Sequence, residues 1–185
     1  MTIGETEIKL NMNKEKYENA ILYFLETVNN SHLGKVKLMK LVYYLDFDHF
    51  EKYGASVTGD IYRNKAAGPV PDNADAILQE MKEKGLIDIR AEQIIDFIKY
   101  KYRPLVSCNP GVFKPSEAQM LHEVAQKWEH HSRAEIVEAS HGEAPWIATR
   151  ASEPIPYALA YYRGKYDEPA CDADETEATL LARDS

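Results

Sequence analysis

The side chains of this 185-residue chain with most capacity for chemistry are six histidines, two cysteines and several closely spaced acids. His32, His49, His122, His130, His131 and His141 form no HExxH motif, and no Cys or His pair has the spacing of zinc ligands. Cys108 and Cys171 lie far apart and outside any CxxC motif, so neither a zinc site nor a disulfide framework is expected, and a reducing cytoplasm suits both thiols. Pro71-Asp72 followed by Glu80-Met81-Lys82 has the letters of a PD…ExK nuclease signature. That chemistry needs carboxylates on adjacent strands converging on one ion. Here Glu80 and Lys82 fall on a predicted helix, about 200° apart at 3.6 residues per turn. Asp46 and Asp48 diverge in the same way on another helix. Phosphate-cradling and serine-hydrolase templates are absent from the sequence. The reading is therefore of a protein that is not an enzyme and needs no metal or cofactor. A metal-dependent hydrolase using Asp72, Glu80 or the histidines is the rival from another class.

Binding chemistry has better candidates. Lys37, Lys40, Tyr44, Asp48 and Glu51 recur at steps of three and four, which places them on one stripe of a helix. Two readings of the stripe stay open, a solvated face and a face turned to a partner. Its charges are oddly placed: Lys35, Lys37 and Lys40 occupy the early turns and Asp46, Asp48 and Glu51 the late ones, against the helix macrodipole. The lysines would then meet an external or internal acid. Downstream, Gly68-Pro69-Val70 reads as a stiff loop between Arg63 or Lys65 and a following helix. It serves either as a structural turn or as a preorganised recognition element that loses little entropy on docking.

These residues need a scaffold, and hydrophobic periodicity supplies one. Tyr17, Ala20, Ile21, Phe24, Leu25 and Val28 predict an amphipathic helix over about 14–29. Lys35 to Tyr53 is apolar or aromatic on several sides and ends at Gly54, as a central helix with a left-handed cap would. A short strand is expected over 58–64, then a helix capped by Asp72 and stopped at Gly85, then a strand over 94–106. Ser116 with Gln119, and Ser132 with Glu135, are spaced as capping boxes for two further helices. A last short helix is expected over 157–162. The fold class is mainly α: a compact helical domain with a small two-strand antiparallel β-sheet.

Composition bounds the function. Hydrophobic residues are 44% and charged ones 28%, values of an ordinary globular chain with no span long enough to cross a membrane. The 22 Lys and Arg against 30 Asp and Glu give a net charge of −8, which argues against broad neutralisation of nucleic-acid phosphates. Much of that charge is concentrated after Gly164, where seven acids face only Lys165 and Arg183 among few large apolar residues. A flexible acidic C-terminal tail is expected there. The organisation is an amino-terminal arm over 1–13, one domain over 14–163 and the tail over 164–185.

Three blocks, in order, resemble the Panacea domain of SocA-like antitoxins. They are Lys37-Leu38-Met39-Lys40-Leu41-Val42-Tyr43-Tyr44; Thr58-Gly59, Tyr62 and Gly68-Pro69-Val70-Pro71; and Ser116-Glu117 with Ser140-His141, Glu143, Pro145 and Trp146. The resemblance covers roughly residues 14 to 163, without the acidic tail or an appended helix-turn-helix region. It implies a helical domain that neutralises a co-encoded protein toxin by direct contact. It also implies that toxins differ widely across the family, some resembling alarmone synthetases, and that one kind of member acts as an adaptor delivering its toxin to a protease. On this reading the partner-binding residues are Lys37, Lys40, Tyr44, Arg63, Gly68, Pro69, Val70, His141 and Trp146. The partners are a cognate toxin and, for an adaptor, a protease. The expected location is the cytoplasm, with no membrane and no direct nucleic-acid contact.

Overall fold

The computed structural model describes residues 12–28, 33–95 and 97–164. The bulk of the expected amino-terminal arm and acidic tail, the break at Asn29 to Ser31, His32 and Cys171 lie outside the described residues.

Helix α1 (Lys14–Thr27) starts where the Asn13 side chain accepts a hydrogen bond from the Lys16 amide at 3.0 Å, and it buries Tyr17, Ala20, Ile21 and Phe24 along one face. Helix α2 (Lys35–Tyr53) is the axis of the molecule: every residue from Lys37 to Phe47 is buried. It ends at Gly54, whose φ of 71° lets its amide turn back to the Phe50 carbonyl at 2.8 Å. Strands β1 (Tyr62–Lys65) and β2 (Gly68–Pro71) form a hairpin, with Tyr62 opposite Pro71 and Lys65 opposite Gly68. The two-residue strand β5 (Pro154–Ile155) pairs on the other side of β1 and completes an antiparallel sheet of order β2-β1-β5.

Helix α3 (Ala74–Glu83) leads to a second hairpin, β3 (Ile87–Ile94) and β4 (Phe97–Pro104). Helices α4 (Pro115–Trp128), α5 (Arg133–His141) and α6 (Ala144–Ile147) follow, and a 3₁₀ turn over Tyr157–Tyr162 closes the domain against α2. Mainly helical architecture, the two long helices and the Ser132–Glu135 capping box agree with the sequence reading. In that box Ser132 Oγ accepts from the Glu135 amide at 3.2 Å and Glu135 accepts from the Ser132 amide at 2.6 Å.

Four expectations need correction. There are two small antiparallel sheets, not one of two strands. The Gly-Pro-Val-Pro run is strand β2: it lies at the edge of its sheet, where the prolines' missing N–H groups cost no ladder hydrogen bond, and Ala66-Ala67 provides the turn. Strand β3 lies N-terminal to the expected strand, where Ile87, Ile89 and Ala91 alternate with Asp88, Arg90 and Glu92 in a half-buried strand pattern. Asp72 and Ser116 do not cap helices. Asn73 precedes α3, Asp72 pairs with Arg63 at 2.7 Å, and the start of α4 is held by Glu117, which accepts from the Lys114 amide at 2.8 Å.

Candidate partner-binding site

The charges that oppose the macrodipole of α2 each have an internal partner. Lys37 Nζ donates to the Glu129 and His131 carbonyls at 3.2 and 2.6 Å, just beyond the end of α4, where the helix dipole is negative. Burial pushes the Lys37 ammonium below its ordinary pKa, with Glu129 and Glu135 opposing. Lys40 is 1% exposed; its Nζ donates to the Pro69 carbonyl at 2.7 Å, and burial lowers its pKa to about 7 against the pull of Glu143. Asp46 is wholly buried and ties the 57–58 segment to the helix. It accepts from the Val57 amide at 2.8 Å, the Thr58 amide at 2.7 Å and the Tyr62 hydroxyl at 2.7 Å. Desolvation raises its pKa, and these hydrogen bonds pull the other way. Asp48 and Glu51 receive Arg163 Nη2 at 2.5 and 2.6 Å, and Glu143 accepts from the Tyr43 hydroxyl at 2.7 Å with Arg163 Nη1 at 3.8 Å.

Those contacts join sequence blocks that lie far apart. Gly68 has a φ of 87°, and a methyl group there would fall on the Lys40 ammonium and the Ser140 hydroxyl, with the His141 ring 3.3 Å away. His141 stacks on Trp146 with ring centroids 4.2 Å apart. Trp146 Nε1 donates to the Lys65 carbonyl at 3.1 Å, and Asn64 Nδ2 donates to the Trp146 carbonyl at 2.8 Å. The β1–β2 hairpin is thus clamped between α2 on one side and the α5–α6 corner on the other.

The residues nominated from sequence divide into two groups. Lys37, Lys40, Tyr44, Gly68 and Pro69 are buried, which corrects the expectation of a solvated or partner-facing stripe for its first three positions, covered by α4, α5 and β2; Asp48 is partly exposed and Glu51 exposed. Tyr44 packs on Trp128 at 4.6 Å between ring centroids. Arg63, Val70, His141 and Trp146 stay partly exposed. The outward residues the sequence reading missed are Ala66, Ala67, Arg133, Ala134 and Val137. They line a cleft of about 280 Å³ beside the hairpin turn, and neither four short side chains nor a single arginine carries a sequence signal for such a role. The nuclease letters do not converge: Asp72 pairs with Arg63, while Glu80 on α3 pairs with Lys14 and, at 2.9 Å, with Lys84. Among the described residues no group of three or more His, Cys, Asp or Glu is placed to hold a metal ion, and no helix is long and apolar enough to cross a membrane.

The interlocked blocks coincide with a family signature. Residues 38–147, from the first turn of α2 to the end of α6, match the SocA-like antitoxin Panacea domain. The chain belongs to that family. No curated protein and no solved structure matches it. Within the span matched to the Panacea domain, Lys40, Tyr43, Gly68 and Ser140 are buried and, with the partly buried Glu143, join the elements of the fold. What faces outward at the same junction is the hairpin turn, the exposed side of α5 and the His141–Trp146 stack.

Proposed function

We propose that this chain is the antitoxin of a toxin–antitoxin pair and neutralises a co-encoded protein toxin in the cytoplasm by direct binding, without catalysis. Membership of the SocA-like Panacea family over residues 38–147 carries this reading. The geometry supports it: a rigid core of buried charge partners presents a preorganised edge, and preorganisation lowers the entropic cost of association. The proposed contact surface comprises Arg63, Val70, His141 and Trp146 on that edge. Lys37, Lys40, Tyr44, Gly68 and Pro69 act indirectly, by fixing its shape.

The test is expression of the neighbouring reading frame alone and together with this chain. Growth arrest by the neighbour, relieved only on co-expression and accompanied by a stable purified complex, is the expected result. Arrest that co-expression leaves untouched would overturn the proposal. Toxin lifetime measured in the same cells distinguishes the two modes of relief: unchanged lifetime means inhibition by contact, and shortened lifetime means delivery to a protease.

A further inference from the structure

The cleft beside the Ala66-Ala67 turn has a second half. Across Ala67, the residues Lys35, Val36, Met39, Lys40, Pro69 and Val70 line a further depression of about 180 Å³, its walls mainly apolar. Ala67 is a low saddle between the two mainly apolar hollows, with Ala66 beside it on the first. Arg133 lines the first hollow and Lys65 adjoins the saddle; both are exposed, and neither side chain has a hydrogen-bond or ion-pair partner among the described residues. Arg63, Lys84, Arg90, Lys101 and Arg103 are engaged by carboxylates in a chain of net charge −8, whereas Lys65 and Arg133, like the exposed Lys82 and Lys114, are not, and it is Lys65 and Arg133 that flank the apolar hollows. Two uncommitted cations beside an apolar trough favour an anionic occupant with apolar anchors, and low local charge compensation favours fast, salt-sensitive capture.

We propose that this saddle binds an extended acidic segment of the partner protein, one apolar side chain entering each hollow and carboxylates meeting Lys65 and Arg133. The inference rests on the antitoxin reading above and specifies the part of the partner that is recognised. The flat alanine saddle suits an extended strand crossing the hairpin turn, because a bulky residue at Ala66 or Ala67 would separate the two hollows.

The full-length chain and its co-expressed neighbour provide the test, using Lys65→Glu/Arg133→Glu and, as a charge-matched control, Lys82→Glu/Lys114→Glu, all four positions being exposed. Far-UV circular dichroism establishes that each variant is folded. The first pair is expected to weaken the complex by about tenfold or more and abolish growth rescue, with the control unaffected. Wild-type affinity is expected to fall between 0.1 and 0.5 M salt, roughly the range over which the screening length drops well below 10 Å. Unchanged affinity in Lys65→Glu/Arg133→Glu, with wild-type rescue intact, overturns the saddle and leaves the antitoxin reading standing. Failure of wild-type rescue overturns both. Wild-type chain that dimerises alone, with the dimer lost in the same variant, assigns the surface to self-association and also overturns the proposal.

Discussion

A lysine ammonium beneath a β-hairpin is tolerated only if its hydrogen bonds replace most of what water offered. Lys40 has the Pro69 carbonyl at 2.7 Å and the Tyr43 ring 5.6 Å from its nitrogen, yet desolvation still lowers its pKa to about 7. The unfolded chain holds this proton up to the ordinary lysine value of about 10.4. Between these two values the unfolded state therefore binds more protons than the folded one, and stability contributed at this site rises with pH. Comparing wild type with Lys40→Met by urea denaturation from pH 7 to 9.5 should show the difference moving in favour of wild type, with a slope of up to about 1.4 kcal/mol per pH unit. A difference independent of pH would mean that the ammonium is not desolvated. At Gly68, Ala would combine a left-handed backbone with a collision against Lys40 and Ser140. A loss of about 2–4 kcal/mol is expected on thermal or chemical unfolding, and the same change at Gly34, which has open space around it and no positive φ, should cost far less.

At the scale of elements, α2 is supported on every side: it packs against α1, α4, α5, β2 and the closing 3₁₀ turn. The β3–β4 hairpin is different. Its base packs through Ile87, Ile89 and Tyr102, but Ile98, Tyr100 and the tip residue Ile95 are more than half or half exposed. Native-state hydrogen exchange should find the amides of residues 38–47 opening only with global unfolding and those of residues 91–95 and 97–100 exchanging orders of magnitude faster. Comparable protection of both would contradict this division. The closing turn is fastened by Arg163, whose side chain is 8% exposed and meets Asp48, Glu51 and Glu143. Arg163→Met leaves those acids facing one another, and a loss of about 2–3 kcal/mol is expected after allowing for the partial exposure of Glu51. The surface substitution Lys84→Met should leave the denaturation midpoint unchanged within error.

For the whole molecule, the buried charge partners run from α2 to the hairpin, to the α5–α6 corner and to the closing turn, so none of these parts has a core of its own. The two tryptophans test that unity, since Trp128 lies on α4 against Tyr44 and Trp146 on α6 against His141. Unfolding followed by tryptophan fluorescence and by far-UV circular dichroism should give one coincident transition; separated midpoints would show that the hairpin and α6 melt independently. The same unity explains how the edge beside the hairpin can be held in one shape although its turn is only two alanines.

Local sequence order was enough to determine the mainly helical class, the limits of α1 and α2, the Ser132 cap and the family, because periodicity, capping and ordered blocks are properties of neighbours along the chain. It could not reveal that Lys37, Lys40 and Tyr44 point inward. A helical stripe has the same spacing whether it meets water, a partner protein or another part of its own chain, and charged residues conceal burial when their partners are backbone carbonyls. Nor could it place Arg163 against Asp48, or gather Ala67, Arg133 and Val137 into one trough. Those relations depend on segments far apart in sequence packing around α2, and only the tertiary structure decides which residues around that helix stay at the surface.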